Sequence, residues 1–121
     1  MQPANKINSF EAIVHRLKKT LPDSIETYHT NQTSTYPLIK IVLGKGNPQR
    51  VLISAGIHGD EPGSVESLLS FLQDEHYLPY INNWEITLLP CINPHGYEFG
   101  NRENHQGKDL NRLFKVDGPP I

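Results

Sequence analysis

Residues 50–72 read RVLISAGIHGDEPGSVESLLSFL, in which an apolar run, a turn with two glycines and an amphipathic segment follow one another. The run Arg50–Ala55 is almost continuously apolar, which is typical of a strand buried on both faces. A helix is predicted to begin near Glu61, with Asp60 as its N-cap and Pro62 in its first turn. The apolar residues of this helix share one face at helical spacing: Val65, Leu68, Leu69 and Leu72.

A second apolar run, Glu85–Ile92, follows a connecting segment at Glu75–Asn83 and predicts another buried strand. The order strand, helix, strand is that of a crossover unit, so the two strands are expected to be parallel and joined in a right-handed sense. After Asn93 the hydrophobic periodicity ends, and the chain is expected to be irregular.

Upstream of this unit, an amphipathic helix is predicted from a cap at Asn8 or Ser9 to about Leu21. Two strand-like runs follow, at about Ser24–Thr30 and Tyr36–Leu43, with a polar turn between them. The sequence therefore predicts an α/β fold whose mixed sheet carries helices on both faces and contains the parallel crossover.

Composition restricts the class of protein. The chain has 121 residues, enough for one domain, and a formal net charge of -2. This charge argues against a protein that chiefly grips nucleic acid or anionic membrane, so neither is expected as a partner. No apolar run is long enough to predict a membrane-spanning helix. The single Cys91 excludes an intrachain disulfide, and a reducing compartment, the cytoplasm, is expected.

The turn after the first buried strand carries His58 and Glu61. Ligands bind at the carboxyl ends of the strands in open α/β sheets, and imidazole nitrogen and carboxylate oxygen are both good Zn²⁺ ligands. The pair is therefore a candidate metal site. The plainer alternative is that Glu61 favours a helix N-terminus and that His58 is a polar loop residue.

A second polar segment follows the next buried strand and begins at the same sheet edge. It contains two arginines, Arg102 and Arg112, among amide side chains and glycines. Guanidinium groups make paired hydrogen bonds to carboxylates and can polarise carbonyls, so the segment is suited to binding a carboxylate. The alternative is a solvated loop with surface charges.

Together the two segments resemble the zinc carboxypeptidases, the carboxypeptidase A-like metallopeptidases. The resemblance spans roughly His58 to Phe114 and is carried by three ordered blocks: His58-Gly59-Asp60-Glu61, Asn93-Pro94-x-Gly96-Tyr97-Glu98 and Arg102-x-Asn104-x-x-Gly107-x-Asp109-Leu110-Asn111-Arg112-x-Phe114. It is strongest to the bacterial branch that trims short or cell-wall-derived peptides. The resemblance implies that residues 1–121 form a single, incomplete carboxypeptidase-like domain, the N-terminal part of a larger catalytic domain.

The resemblance assigns a role to each matched residue around the metal. His58 and Glu61 match the first two zinc ligands, and Zn²⁺ is the implied cofactor. Asp109 matches the carboxylate that orients the first histidine ligand, which fits the general rule that a ligating imidazole donates its other N–H to a carboxylate.

The resemblance also assigns the substrate contacts. Arg102 matches the arginine that polarises the scissile carbonyl and steadies the oxyanion. Asn111 and Arg112 match the pair that holds the terminal carboxylate of the substrate. A peptide or N-acyl amino acid with a free carboxylate is therefore the implied partner.

Three elements of the family's site have no match in these 121 residues: the third zinc ligand, which is a histidine, the general-base glutamate and the substrate-capping tyrosine. His95 stands where the family usually has aspartate, and neither His95 nor His105 matches a ligand position. Because a catalytic zinc needs three protein ligands, the chain by itself is expected to hold zinc poorly and to be inactive.

Two other functions stay open. Zinc deacylases of N-acyl amino acids, of the succinylglutamate desuccinylase/aspartoacylase type, also carry a His-Gly-x-Glu block and an Asp-Leu-Asn-Arg block. A non-catalytic module that binds carboxylates through Asn111 and Arg112 is the second alternative. An open sheet edge is also expected to favour self-association.

Overall fold

The computed structural model describes residues 6–28 and 36–110, in which the elements follow one another in the predicted order. In chain order they are α1 (Phe10–Thr20), β1 (Ile25–Tyr28), β2 (Leu38–Leu43), β3 (Gln49–Ser54), α2 (Gly63–Gln73), β4 (Trp84–Leu89) and α3 (Pro94–Phe99). No helix within these residues combines the length and the apolar character needed to cross a membrane.

The strands form one mixed sheet in the order β1-β2-β4-β3. β2 pairs antiparallel with both β1 and β4, whereas β3 and β4 are parallel, which confirms the predicted crossover. The parallel register places Val51 opposite Ile86 and Ser54 opposite Leu89. Because β3 and β4 end at the same level, the loops that follow them leave the sheet side by side.

The core lies on one face of this sheet. Alternate residues of the strands point into it, as the burial of Ile39, Ile41 and Leu43 in β2 shows. Both long helices bury their apolar stripes in the same cluster: Phe10, Ile13 and Leu17 from α1, and Val65, Leu68, Leu69 and Leu72 from α2. The α/β class is confirmed, but α1 and α2 pack together on one face and not on opposite faces of the sheet.

β3 differs from its prediction. Its apolar run predicted a strand buried on both faces, but β3 is the edge strand of the described sheet, and Leu52 is 64% exposed. An apolar run indicates that a strand can be buried. It does not report whether a neighbour lies on each side, and in residues 6–28 and 36–110 only β4 pairs with β3.

The helix boundaries also refine the prediction. Ser9 caps α1 as expected, since its side chain accepts a hydrogen bond from the backbone N–H of Ala12 at 3.1 Å. α2 begins later than predicted, at Gly63, and Pro62 occupies the N-cap position in place of Asp60. The backbone N–H of Glu61 donates to the carbonyl of His58 at 3.2 Å, so these residues form a separate turn before the helix.

The segment after Asn93 was expected to be irregular, but part of it is helical. It opens with the short helix α3, in which Asn93 is the N-cap and Pro94 the first residue. Gly100 ends the helix in the left-handed conformation at φ 69°. The helix is too short to show a hydrophobic period, and therefore only its capping residues signalled it.

Candidate metal site

The loop after β3 presents His58 and Glu61 to one spot. Gly56 turns the chain with φ 70°, a conformation that other residues rarely adopt. His58 Nδ1 lies 3.5 Å from Glu61 Oε2, while its side chain is 11% exposed and that of Glu61 is 66% exposed. The histidine is therefore embedded in the protein and the carboxylate reaches toward it from the solvent side.

Asp109 fixes the orientation of the imidazole. Its Oδ1 lies 2.9 Å from His58 Nε2, and its side chain is 12% exposed. A carboxylate can only accept this hydrogen bond, so the proton between the two groups is on Nε2. This is the contact expected from the family resemblance. It leaves Nδ1 as the ring nitrogen that can bind a metal ion, with a carboxylate oxygen of Glu61 beside it as a second donor atom.

The donor set fits zinc. Two ligands at about 2.0–2.2 Å from a tetrahedral Zn²⁺ are about 3.4 Å apart, close to the separation of the two atoms in this structure. One nitrogen and one carboxylate oxygen are also the donors that zinc takes in hydrolases. Within residues 6–28 and 36–110, no group of three or more His, Cys, Asp or Glu side chains is arranged to hold a metal ion.

Arg102 joins the same network from the loop after α3. Its Nε donates to Asp109 Oδ2 at 3.1 Å, so Asp109 bridges the histidine and the arginine with its two oxygens. The arginine side chain is 48% exposed, and its terminal N–H groups bond to no other described residue. They are thus available for a carbonyl or a carboxylate. The predicted carboxylate-binding pair, Asn111 and Arg112, lies outside the described residues.

A hollow of about 340 Å³ opens beside the pair. It is lined by the end of β3, the following loop and the start of α2: Ser54, Ala55, Gly56, Ile57, His58, Glu61 and Ser64. A small substrate group in this hollow would contact both candidate ligands, since the two side chains form part of its wall.

Asn93 is a residue that the sequence analysis quoted without giving it a role. It is buried, and its side chain makes hydrogen bonds to both loops that carry the site. Its position at the end of a buried strand and directly before a proline was the available signal, because that pattern is typical of a helix cap.

Burial shifts the pKa of several titratable side chains in or near α3. Burial lowers the pKa of His95, and the neighbouring His105 lowers it further. Burial and the adjacent Glu98 carboxylate raise the pKa of Tyr36 to about 12. Burial likewise raises the pKa of the Cys91 thiol, which lies in the core, to about 12.

Comparisons with known proteins place the chain in a family of hydrolases. A model of the succinylglutamate desuccinylase/aspartoacylase catalytic domain matches residues 47–118. Murein peptide amidase A of Escherichia coli strain K12 is 38% identical over 78 residues, which are 64% of this chain and 31% of that relative. The chain therefore spans about a third of the length of this curated relative.

Solved structures show the same fold. A metallo-carboxypeptidase from Burkholderia cenocepacia superimposes with a TM-score of 0.69 at 22% identity, over 87% of this chain and 32% of its own. A metallo-carboxypeptidase from Pseudomonas aeruginosa, in complex with (2-guanidinoethylmercapto)succinic acid, gives a TM-score of 0.62 at 23% identity, over 88% of this chain and 32% of its own. The architecture is thus that of the metallocarboxypeptidases.

Proposed function

The chain belongs to the succinylglutamate desuccinylase/aspartoacylase catalytic-domain family, and we propose on this premise that it is part of a zinc-dependent hydrolase. The bond cleaved is an amide or peptide bond near a free carboxylate. One observation carries the proposal: Nδ1 of His58 lies 3.5 Å from a Glu61 oxygen while Asp109 forms a hydrogen bond with the opposite ring nitrogen.

Zinc, when bound, would supply Lewis-acid polarisation of the carbonyl and a water of lowered pKa. The described residues would prepare the site for it. Asp109 keeps His58 in one tautomer, and Glu61 adds a negative charge that compensates a dication.

Arg102 would stabilise the oxyanion. Its Nε is held by Asp109, so the plane of the guanidinium is fixed before substrate arrives. The terminal N–H groups then donate to the carbonyl oxygen as negative charge develops there. A preorganised donor of this kind contributes more than a mobile one because it needs no reorientation during the reaction.

The favoured substrate is a short or cell-wall-derived peptide. The 38% identity with murein peptide amidase A supports this class. Asn111 and Arg112 would hold the terminal carboxylate, a role that rests on the resemblance of their block to the carboxypeptidases. The alternative is an N-acyl amino acid, which the matched desuccinylase/aspartoacylase model supports.

The test compares three substrates with the full-length protein that contains this chain, loaded with zinc. Short free-acid peptides, the same peptides with an amidated C-terminus and N-acyl amino acids are incubated separately, and products are identified by mass spectrometry. Preferred cleavage of free-acid peptides supports the peptidase, and preferred release of the acyl group supports the deacylase. Carboxylate binding without cleavage of any substrate would indicate the non-catalytic module and contradict the proposal.

Substitution of the predicted carboxylate anchor sharpens this test. Arg112→Ala is expected to reduce cleavage of free-acid peptides far more than cleavage of amidated ones, because only the former offers a carboxylate to the guanidinium. Initial rates at equal substrate concentration give the comparison. Equal losses on both substrates would contradict the role assigned to Arg112.

A further inference from the structure

Asn93 lies behind the site, between the loop after β3 and the loop after α3. It is 1% exposed. A polar side chain buried this deeply needs hydrogen-bond partners within the protein. Its Nδ2 lies 3.3 Å from the carbonyl oxygen of Ile57, 3.3 Å from that of Arg102 and 3.0 Å from that of Glu103. One amide group therefore donates to both loops.

The remaining polar groups of Asn93 bond to α3 and to the start of the loop after β3. Oδ1 accepts from the backbone N–H of Gly96 at 3.0 Å and caps α3. The backbone N–H of Asn93 donates to the carbonyl of Gly56 at 3.0 Å. The two functions of the side chain are thus chemically separate, because the oxygen caps the helix and the nitrogen joins the loops.

The loops meet closely at this point. A Cβ atom on Gly59 would overlap the backbone of Gly96, and a Cβ atom on Gly96 would overlap the Nδ2 group of Asn93. The absence of side chains at both glycines allows the two backbones to approach, and the amide of Asn93 then connects them.

These contacts fix the position of the His58 loop relative to the Arg102 loop. Ile57 directly precedes His58, and the carbonyl of Arg102 belongs to the residue whose guanidinium contacts Asp109. A displacement between the two loops would therefore separate His58 and Arg102 from the carboxylate that they share.

We propose that Asn93 is a positioning residue of the candidate metal site, whose Nδ2 group holds the His58 loop against the Arg102 loop and so preassembles His58, Asp109 and Arg102. The functional meaning of this role rests on the proposed function. The geometric role does not, because it concerns contacts present before any metal or substrate is bound.

Two substitutions separate positioning from capping. Asn93→Asp and Asn93→Ser both retain an oxygen that can cap α3, since aspartate and serine are good N-cap residues. Aspartate, however, presents acceptors to three carbonyl oxygens, and the single hydroxyl of serine cannot serve both loops. Asn101→Asp is the matched control, because it introduces the same charge on the exposed part of the neighbouring loop.

The primary measurement is the NMR signal of the His58 imidazole in the metal-free 121-residue chain at neutral pH. The wild type and Asn101→Asp are expected to show an Nε2 proton that the hydrogen bond to Asp109 protects from exchange. Both Asn93 variants are expected to exchange this proton at least about 10-fold faster, while the methyl signals of the core remain unchanged. Wild-type protection in both folded variants would overturn the proposal, and loss of the fold in both would overturn it by assigning Asn93 to folding.

Zinc affinity is the second measurement, made by competition with a chromophoric chelator in the full-length protein that contains this chain. Both Asn93 variants are expected to bind zinc about 10-fold more weakly than the Asn101→Asp control, in line with other residues that orient a metal ligand. A full-length wild-type protein without measurable zinc affinity would contradict the proposed function alone, because the imidazole measurement does not depend on metal.

Discussion

Asp109 illustrates how much of the site depends on a single residue. Its two oxygens accept from His58 and from Arg102, which come from different loops, at 2.9 and 3.1 Å. The carboxylate is largely buried, so both hydrogen bonds are shielded from water and are stronger than surface contacts. Asp109 therefore keeps a proton on Nε2 of His58 and fixes the plane of the Arg102 guanidinium.

Removal of this carboxylate is expected to weaken metal binding. Asp109→Ala should lower the zinc affinity by roughly 10–100-fold, because the imidazole loses its orientation and part of its basicity. Chelator competition measures the change. The matched control is Asp74→Ala, which removes an exposed carboxylate at the end of α2 and should leave the affinity unaltered. Equal affinities for the Asp109 variant and the wild type would contradict the role given to Asp109.

His95 is expected to make stability depend on pH. Burial and His105 depress its pKa in the folded state below the ordinary value of 6.5. The unfolded chain then binds the proton more readily than the folded chain, so stability is constant above about pH 6.5 and falls as the pH drops toward the folded pKa. The loss is at most about 1.4 kcal/mol per pH unit for one proton.

Urea unfolding at pH 5, 6, 7 and 8 measures this dependence. His95→Phe should flatten the fall below pH 6.5, whereas His76→Phe, at an exposed position, should keep the wild-type profile. An unchanged slope in the His95 variant would show that other groups cause the acid sensitivity.

At the scale of elements, the sequence predicted best those helices and strands whose pattern of apolar residues extends over many positions. α1 and the crossover of β3, α2 and β4 follow directly from apolar spacing. The edge position of β3 and the short α3 did not, because the first depends on which strands pair and the second on capping alone. In the candidate site, spacing indicated His58 and Glu61, and the family resemblance indicated Asp109. The inter-loop bonds of Asn93 depend on tertiary approach, which no local pattern encodes.

The approach of two elements at Gly59 provides a test of this packing. Gly59→Ala places a methyl group into the backbone of Gly96 and should destabilise the fold by about 1–3 kcal/mol or more. Gly63→Ala is the matched control, because nothing lies within 4 Å of an added Cβ there and the residue is helical. The control should be neutral or stabilise by up to about 1 kcal/mol. Thermal unfolding compares the two, and equal effects would exclude the close contact.

For the whole molecule, we expect the 121-residue chain alone to bind zinc weakly and to hydrolyse nothing. It offers two matched ligands, and a stable catalytic zinc takes three. It also has no matched general base, whose help is typically worth about 10²–10⁴ in rate. Calorimetric zinc titration with a parallel peptidase assay tests this. Tight one-to-one binding together with peptide cleavage would mean that a further residue of this chain completes the site.

The edge of β3 that pairs with no other strand among residues 6–28 and 36–110 lies beside the candidate site. Ser54, the last residue of that strand, is also part of the wall of the hollow that His58 and Glu61 share. A strand added along β3 would consequently extend this wall and narrow the mouth of the hollow. Any strand paired along β3 would therefore border the hollow, so the shape of the candidate site would depend on that strand pairing.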